Sequence, residues 1–359
     1  MDSLTQAVLG AGISGAMVGR FHGRKALLAG AALATLPDLD VLIDYGDPIS
    51  GMINHRGFSH SLFVLTGVAF VLTAILRRWR PTQEYGSGRL LLTLCLILLT
   101  HPLLDAFTSY GTQLWWPLKP TPASWSSLFI IDPFYTLPML FAVLLAAIAG
   151  VGPRSQRALV WALGISSAYL ALSLIAKATI EERVGGLLER DGLRIVSMFS
   201  TPEPFNILLW RVVARTADDR YVEVISSLLD SAAPERIILP LNTAMADELP
   251  PFPQLKGLQW FTDNWLRYDE INGELVVTDL RMGLGTGHYS FRFRIAQRTG
   301  PGGTWQTTIP SYWPGNRDTE ALKATVRRIW RQSPPLPLAQ WEQKMTLPPG
   351  SMPDLQPLD

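Results

Sequence analysis

Four short clusters of histidine and aspartate residues interrupt an otherwise apolar part of this 359-residue chain. Imidazole nitrogens and carboxylate oxygens together favour zinc, manganese or iron over calcium, which prefers oxygen ligands alone. Ionisable groups at the ends of membrane-spanning helices are costly, and they usually serve function. The clusters are Pro37-Asp38-Leu39-Asp40, His55-Arg56-Gly57-Phe58-Ser59-His60-Ser61, His101-Pro102-Leu103-Leu104-Asp105 and Ile131-Asp132-Pro133.

The sequence therefore predicts a site for a divalent metal ion. His101 and Asp105 are four positions apart, so both lie on one face of a helix and can reach one ion. His55 is predicted as a further ligand or as an acid/base, and Arg56 as a contact for a substrate phosphate. Zinc is the favoured ion, with manganese or iron as alternatives. The predicted ligands are Asp38, Asp40, His60, His101, Asp105 and Asp132.

The elements that carry these clusters are long and apolar. Hydrophobic residues make up 48% of the chain, charged residues 17%, and the mean hydropathy is +0.17. Residues 1–180 hold 20 charged side chains, and the other 179 residues hold 41. A helix that crosses the bilayer core needs about 20 mainly apolar residues. Six stretches reach or approach this requirement: 4–18, 26–43, 61–76, 90–107, 128–151 and 158–178.

The basic residues of the short connections predict how these stretches are oriented. The first, third and fifth connections hold nine lysines and arginines, and the second and fourth hold two. Because basic loops stay in the cytoplasm, both termini are predicted to lie outside. The ends of even-numbered spans and the starts of odd-numbered spans then share the outer face. The four clusters, together with Asp2 and Gln6, are thus expected at one membrane face.

Beyond residue 180 the pattern changes to that of a water-soluble domain. Asn272-Gly273 is typical of a tight hairpin turn, because both residues tolerate positive φ angles. Gly185-Gly186 is predicted to end the last helix, and the proline-rich chain from Ser333 is predicted to be irregular. Strands are predicted at 194–199, 207–214, 265–270, 274–280 and 289–295, the last of them half-buried, with a helix at 319–330.

The predicted fold is an α-helical integral membrane domain of about six transmembrane helices followed by a smaller soluble α+β or mainly β domain. The predicted boundaries are 1–180 for the membrane domain with the metal site, 181–333 for a soluble extracytoplasmic β-rich domain, and 334–359 for a proline-rich tail.

Several function classes are excluded or disfavoured. The net charge of +1 gives no basic field that would suggest nucleic-acid binding. The single cysteine, Cys95, excludes a disulfide framework and a cysteine-based zinc site. The sequence contains no His-Glu-x-x-His, no Gly-x-Ser-x-Gly and no Walker-type glycine loop. Their absence argues against a zincin protease, an α/β-hydrolase and an NTPase.

The motifs taken together resemble the YdjM-like family of bacterial inner-membrane proteins, which are named as membrane-bound metal-dependent hydrolases. The resemblance rests on the opening Met1-Asp2-Ser3-Leu4-Thr5-Gln6 and on the first three clusters, and it covers about residues 1–180. It implies a metal site built from these aspartates and histidines. Many members have a histidine where Gln6 stands, and glutamine is a poor metal ligand. The order Asp40, His60, then His101 with Asp105 also distantly resembles zinc phospholipase C and P1-type nucleases.

These observations favour a multi-pass protein of the bacterial cytoplasmic membrane that hydrolyses a phosphoester or a lipid-linked substrate with a metal-activated water at the outer face. The expected partners are the lipid bilayer and a lipid or lipid-linked substrate, with no nucleic acid. Two alternatives stay open. One is an ion or metal transporter, since intramembrane histidines and acids also mark ion paths. The other is a structural or assembly protein in which the metal only cross-links helices.

Overall fold

The structure, a computed structural model, describes residues 1–79, 84–284, 288–300, 302–314 and 319–348. Its internal contacts divide the chain into two compact units. One consists of Met1–Asp44, Ile53–Ala176 and Pro204–Ile207, and the other of Tyr45–Met52, Lys177–Glu203 and the chain from Leu208. The first unit is helical, and the second contains two β-sheets.

The described part of residues 1–190 forms seven α-helices and two short 3-10 turns. The 3-10 turns are Pro37–Leu42 and Phe58–His60. The helices are α1 (Ser3–His22), α2 (Arg24–Thr35), α3 (Pro48–Asn54), α4 (Leu62–Trp79), α5 (Ser87–Ala106), α6 (Pro133–Ala149) and α7 (Pro153–Arg190).

Three of the described helices, α4, α5 and α7, are long and apolar enough to cross a membrane. Helix α6 is apolar but has 17 residues, and α1 has 20 residues but is less apolar. The stretch 26–43, predicted as one span, is divided. Pro37 has no N–H to donate to Leu33, so α2 ends after 12 residues, about 18 Å. A helical membrane region is therefore confirmed, and six transmembrane helices are not.

Helices α1 and α2 pack at very short range through glycines. A Cβ atom on Gly10 would overlap the Gly30 carbonyl oxygen and the Ala34 Cβ, and a Cβ on Gly30 would overlap the Gly10 carbonyl oxygen. Small residues allow such close backbone approach, as is common between helices in membranes. The start of α1 is fixed by Asp2, whose carboxylate accepts a hydrogen bond from the Thr5 N–H at 3.0 Å.

The second unit contains two antiparallel four-stranded sheets in which sequence neighbours pair in order. Four further helices lie in this part of the chain: α8 (Ala244–Asp247), α9 (Pro253–Thr262), α10 (Thr319–Arg328) and α11 (Leu338–Met345). The first sheet holds β1 (Ile195–Pro202), β2 (Leu209–Thr216), β3 (Arg220–Ser227) and β4 (Glu235–Pro240). The second holds β5 (Leu266–Ile271), β6 (Glu274–Asp279), β7 (Arg292–Gln297) and β8 (Gln306–Tyr312).

The predicted hairpin is present between β5 and β6. Asn272 and Gly273 have φ angles of 53° and 77°, as the tight turn requires. The predicted strands at 194–199 and 207–214 correspond to β1 and β2, and the predicted helix at 319–330 corresponds to α10.

Two local predictions are wrong, and a third holds in part. Helix α7 continues through Gly185-Gly186, because a helical glycine costs only about 1 kcal/mol and the flanking Val184 and Leu188 are fully buried. In strand β7 the predicted outer face is only partly exposed: Arg292 is buried and donates a hydrogen bond to the Met345 carbonyl at 2.8 Å, whereas Arg294 is partly exposed. The predicted irregular tail contains α11, whose buried Trp341 packs into an apolar cluster; residues 349–359 lie outside the described residues.

The glycine contact between α1 and α2 gives a test of the fold. Gly10→Ala should lower the free energy of unfolding by about 1–3 kcal/mol, because the added methyl group overlaps α2. The matched control is Gly12→Ala, where a Cβ would lie 3.6 Å from the nearest atom, Leu163 Cδ2. Both changes raise helix propensity equally. The melting temperatures of the two detergent-solubilised variants are compared, and equal values would contradict the close contact.

Candidate metal centre

Four side chains from three separate segments meet in the helical unit. Asp38 lies on the first 3-10 turn, His60 on the second, and His101 and Asp105 on the last turns of α5. One donor atom from each lies within 4.8 Å of all the others. The Nε2 atom of His60 is 3.2 Å from His101 Nε2 and 3.2 Å from Asp105 Oδ2. Asp38 Oδ1 is 3.3 Å from His101 Nε2. These four residues are the metal group discussed below.

The hydrogen bonds of the two histidines determine where their protons lie. His101 Nδ1 is 2.6 Å from the Ala34 carbonyl oxygen, which can only accept, so this nitrogen carries hydrogen. The Ser59 hydroxyl donates to Asp40 Oδ2 at 2.5 Å, so it can only accept from His60 Nδ1, 2.9 Å away. In the neutral rings both Nε2 atoms therefore hold lone pairs, and these lone pairs face each other.

A cation suits this arrangement. His60, His101 and Asp105 are buried, and Asp105 Oδ2 accepts no hydrogen bond from the described residues. Two lone pairs and two carboxylates that converge away from water repel each other unless a positive charge lies between them. Mixed histidine and aspartate donors match zinc, manganese or iron. A group of aspartates and histidines that could bind a metal ion is thus present, as the sequence predicted.

The pKa values of Asp38 and His60 reflect the opposite charges that surround these side chains in the absence of an ion. Burial would raise the pKa of Asp38, but the adjacent imidazoles of His101 and His60 outweigh it and lower that pKa. Burial would lower the pKa of His60, but the adjacent carboxylates of Asp105 and Asp38 outweigh it and raise that pKa. Both shifts favour the charged form of the side chain, so the group's surroundings stabilise opposite charges placed close together.

Asp40 lies beside the metal group but is not one of its four members. Its carboxylate accepts hydrogen bonds from the Ser59 hydroxyl, from His55 Nδ1 at 2.8 Å and from the Arg56 N–H at 3.0 Å. Burial would raise the pKa of Asp40, but its bonds to His55 and Ser59 outweigh it and lower that pKa. Asp40, predicted as a ligand, thus holds the loop that carries His60. Ser59 was not among the predicted residues, although it lies inside the quoted motif.

His55 and Arg56 line the same region. The His55 ring centroid is 6.0 Å from that of His60, and the His55 side chain is partly exposed. Arg56 is buried, with Nε 3.4 Å from Asp105 Oδ2 and Nη1 donating to Thr108 Oγ1 at 3.2 Å. Its guanidinium lies 4.8 Å from the Tyr110 ring centroid, a cation–π contact. Arg56 therefore places a positive charge next to a carboxylate of the metal group.

Gln6 supports the group from α1. Its amide donates to Asp105 Oδ1 at 3.1 Å and to the His101 carbonyl oxygen at 3.2 Å. The amino group of Met1 also contacts Asp105 Oδ1. Gln6 thus orients one carboxylate by hydrogen bonding, which a glutamine does well although it binds metals poorly.

Asp132, also predicted as a ligand, lies at the start of α6 and is not in the metal group. Its carboxylate caps α6 by accepting from the Phe134 N–H at 2.9 Å and the Tyr135 N–H at 3.2 Å. It also accepts from the Tyr169 hydroxyl at 2.9 Å. The structure does not bring Asp132 into the group of four.

Comparison with known proteins identifies the family of the helical region. A model of the YdjM inner membrane protein family matches residues 1–180, which contain the whole metal group. The chain belongs to this family. YfhP of Bacillus subtilis (strain 168), an uncharacterized protein, is 28% identical over 62% of this chain and 67% of its own length. The inner membrane protein YbcI of Escherichia coli (strain K12) is 40% identical over 26% of this chain and 52% of its own length.

No solved structure matches the chain. The likeness to zinc phospholipase C and P1-type nucleases is therefore unconfirmed, and the site rests on its own geometry.

The Asp40 contacts predict an effect on metal affinity. Ser59→Ala removes the hydroxyl that orients His60, and Asp40→Asn weakens the same link. Residues that orient metal ligands typically contribute about 10- to 100-fold to affinity. Each variant should therefore bind zinc about 10-fold or more weakly, as measured by competition with a fluorescent chelator.

Ser50→Ala is a matched control, because the Ser50 hydroxyl on α3 donates to another aspartate, Asp47, which precedes that helix. An unchanged zinc affinity in both Ser59→Ala and Asp40→Asn would contradict the orienting role of Asp40.

Proposed function

We propose that the chain is a membrane-bound metal-dependent hydrolase that cleaves a phosphoester. The observation that carries this proposal is the buried convergence of four donor atoms, two of them imidazole lone pairs that face each other. Asp38, His60, His101 and Asp105 hold the ion, with zinc favoured and manganese or iron as alternatives. A divalent ion bound in this way lowers the pKa of a coordinated water to about 7 and polarises a phosphoryl oxygen.

The surrounding residues have separate tasks in this proposal. Asp40 fixes His55 by accepting from its Nδ1, so Nε2 of the neutral ring holds a lone pair and can take up a proton from the attacking water. Arg56 adds a positive charge beside Asp105. With the divalent ion bound, the two carboxylates of the metal group are outweighed by positive charge, and this favours an anionic substrate such as a phosphoester.

The predicted orientation stays part of the proposal. We propose a multi-pass protein of the cytoplasmic membrane with the metal group at the outer face and the β-rich part outside the cytoplasm. The support is the asymmetry of basic residues between the connections.

The hydrolase proposal is tested on the full chain purified in detergent. Wild-type protein is stripped with chelator, reloaded with zinc or manganese, and analysed for metal content and for hydrolysis of p-nitrophenyl phosphate and bis-p-nitrophenyl phosphate. We expect tightly bound metal and metal-dependent hydrolysis. His60→Ala and His101→Ala should lose the metal, and hydrolysis should fall about 100-fold or more, as expected when the group that generates the nucleophile is removed.

His22→Ala is the matched control, because His22 lies outside the metal group and contacts the Tyr85 hydroxyl. It should keep both metal and activity. A wild-type chain that binds neither zinc nor manganese would overturn the proposal. A bound cobalt ion whose spectrum shows four protein ligands and no exchangeable water, without hydrolysis, would favour the structural alternative.

A further inference from the structure

The metal group has one accessible member. The side chain of Asp38 is 22% exposed, whereas those of His60, His101 and Asp105 are at most 1% exposed. A substrate that reaches an ion held there must therefore approach beside Asp38. Asp38 lies on the 3-10 turn Pro37–Leu42, so the outer surface of that turn borders the approach.

That outer surface is apolar. Leu39, Val41 and Leu42 are exposed, the last two by 69% and 78%, and Ile43 continues the run. Asp40, between them, points inward and is buried. The turn therefore has two different sides. The aspartate carboxylates lie on the inner side, and the four aliphatic side chains lie on the outer side. Such a patch is rare on a surface that faces water.

A second apolar strip comes from the other ligand-bearing turn. Phe58, two residues before His60, is exposed and contacts Trp116 edge to face, with ring centroids 6.3 Å apart. The segment that carries Trp116 is attached to the start of α4. The Leu62 N–H donates to the Leu114 carbonyl at 2.9 Å, and the Ser61 hydroxyl donates to the Trp116 carbonyl at 2.6 Å.

The strip is continuous with a candidate membrane-spanning helix. Trp115 contacts Phe63 on the first turn of α4, with ring centroids 5.9 Å apart, and both side chains are exposed. Helix α4 is one of the three helices suited to crossing a membrane. Tryptophans at the end of such a helix are typical of the interface between lipid and water.

We propose that these exposed side chains form an apolar collar that lies in the lipid, and that the substrate is a lipid phosphoester that enters the site sideways from the bilayer. The collar consists of Leu39, Val41, Leu42, Ile43, Phe58 and Trp116. The hydrocarbon chain of the substrate stays against the collar while its phosphate reaches Asp38 and the ion. This inference rests on the proposed hydrolase function and specifies its substrate class.

The reaction needs only water as a co-reactant. A water oxygen forms a new bond to phosphorus, and the bond from phosphorus to the ester oxygen breaks. The electron pair of that bond stays on the ester oxygen, which takes up a proton and leaves as the lipid alcohol. The water proton is released to solvent, and the phosphate product is hydrophilic enough to leave the collar.

The test compares two substrates with the same headgroup in vesicles of phosphatidylcholine that contain the full chain loaded with metal. Dioleoyl phosphatidic acid stays in the bilayer, and dibutyryl phosphatidic acid is water-soluble. In the double variant Val41→Ser with Leu42→Ser, we expect KM for the dioleoyl substrate to rise about tenfold, because apolar contact area with the chain is lost. The KM for the dibutyryl substrate should change less than about twofold.

The matched control is the double variant Leu28→Ser with Ile148→Ser, which removes equally exposed side chains on α2 and α6. It should leave both KM values unchanged, and both variants should keep their metal. If the Val41→Ser, Leu42→Ser variant raised KM equally for the two substrates, or for neither, the collar would not be a path for lipid.

A second measurement does not depend on activity. In a Cys95→Ser background, Leu42→Cys is labelled with an environment-sensitive fluorophore, and Lys323→Cys on α10 serves as the control. The label at position 42 should be quenched by brominated lipid and the label at position 323 should not. Quenching of the label at position 42 without hydrolysis of either substrate would refute the hydrolase proposal, but not the position of the collar in the lipid. If brominated lipid does not quench the label at position 42, the collar does not lie in the lipid, and this conclusion does not depend on the hydrolysis result.

Discussion

The convergence of two imidazole lone pairs and two carboxylates is the constraint on which the helical unit depends. These groups come from three segments far apart in the chain, and burial makes their mutual repulsion strong. The groups nearest to them supply positive charge or hydrogen-bond donors. The Arg56 guanidinium, the Gln6 amide and the Met1 amino group all contact Asp105. The arrangement could thus accept a cation, which would join the three segments.

The two aspartates of the Pro37–Leu42 turn show how a short motif serves two purposes. In a 3-10 turn, residues two positions apart point in different directions. Asp38 therefore points at the ion site, while Asp40 points at the backbone and side chains of the loop that ends in His60. The same turn also exposes Leu42 on its outer side. Six residues thus bring together one member of the metal group, the support for another member, and an apolar surface.

Residue types and spacing were sufficient to predict a group of histidines and aspartates that could bind a metal ion, and the segments that carry it. Asp38, His60, His101 and Asp105 were all in the predicted ligand set, because each lies at the end of an apolar stretch where a polar group is costly. The separate role of Asp40 could not be predicted, since Asp38 and Asp40 are the same residue type and only three-dimensional contacts distinguish them. Helix lengths were predicted less well. Hydropathy depends only on side-chain polarity, so it does not reveal that Pro37 lacks the N–H needed to continue α2. It also does not reveal the packing that keeps α7 helical at Gly185-Gly186.

The early end of α2 has a consequence for the chemistry of His101. The last carbonyls of a helix lack partners within it, and Ala34 belongs to this last turn. The Ala34 carbonyl is the acceptor that fixes the proton of His101 on Nδ1. Had α2 continued as a full span, the N–H of residue 38 would have competed for that carbonyl with the histidine whose tautomer it selects. Pro37 therefore helps to select the proton position of a histidine more than sixty residues away, which makes the length of one helix a determinant of the side-chain chemistry of another.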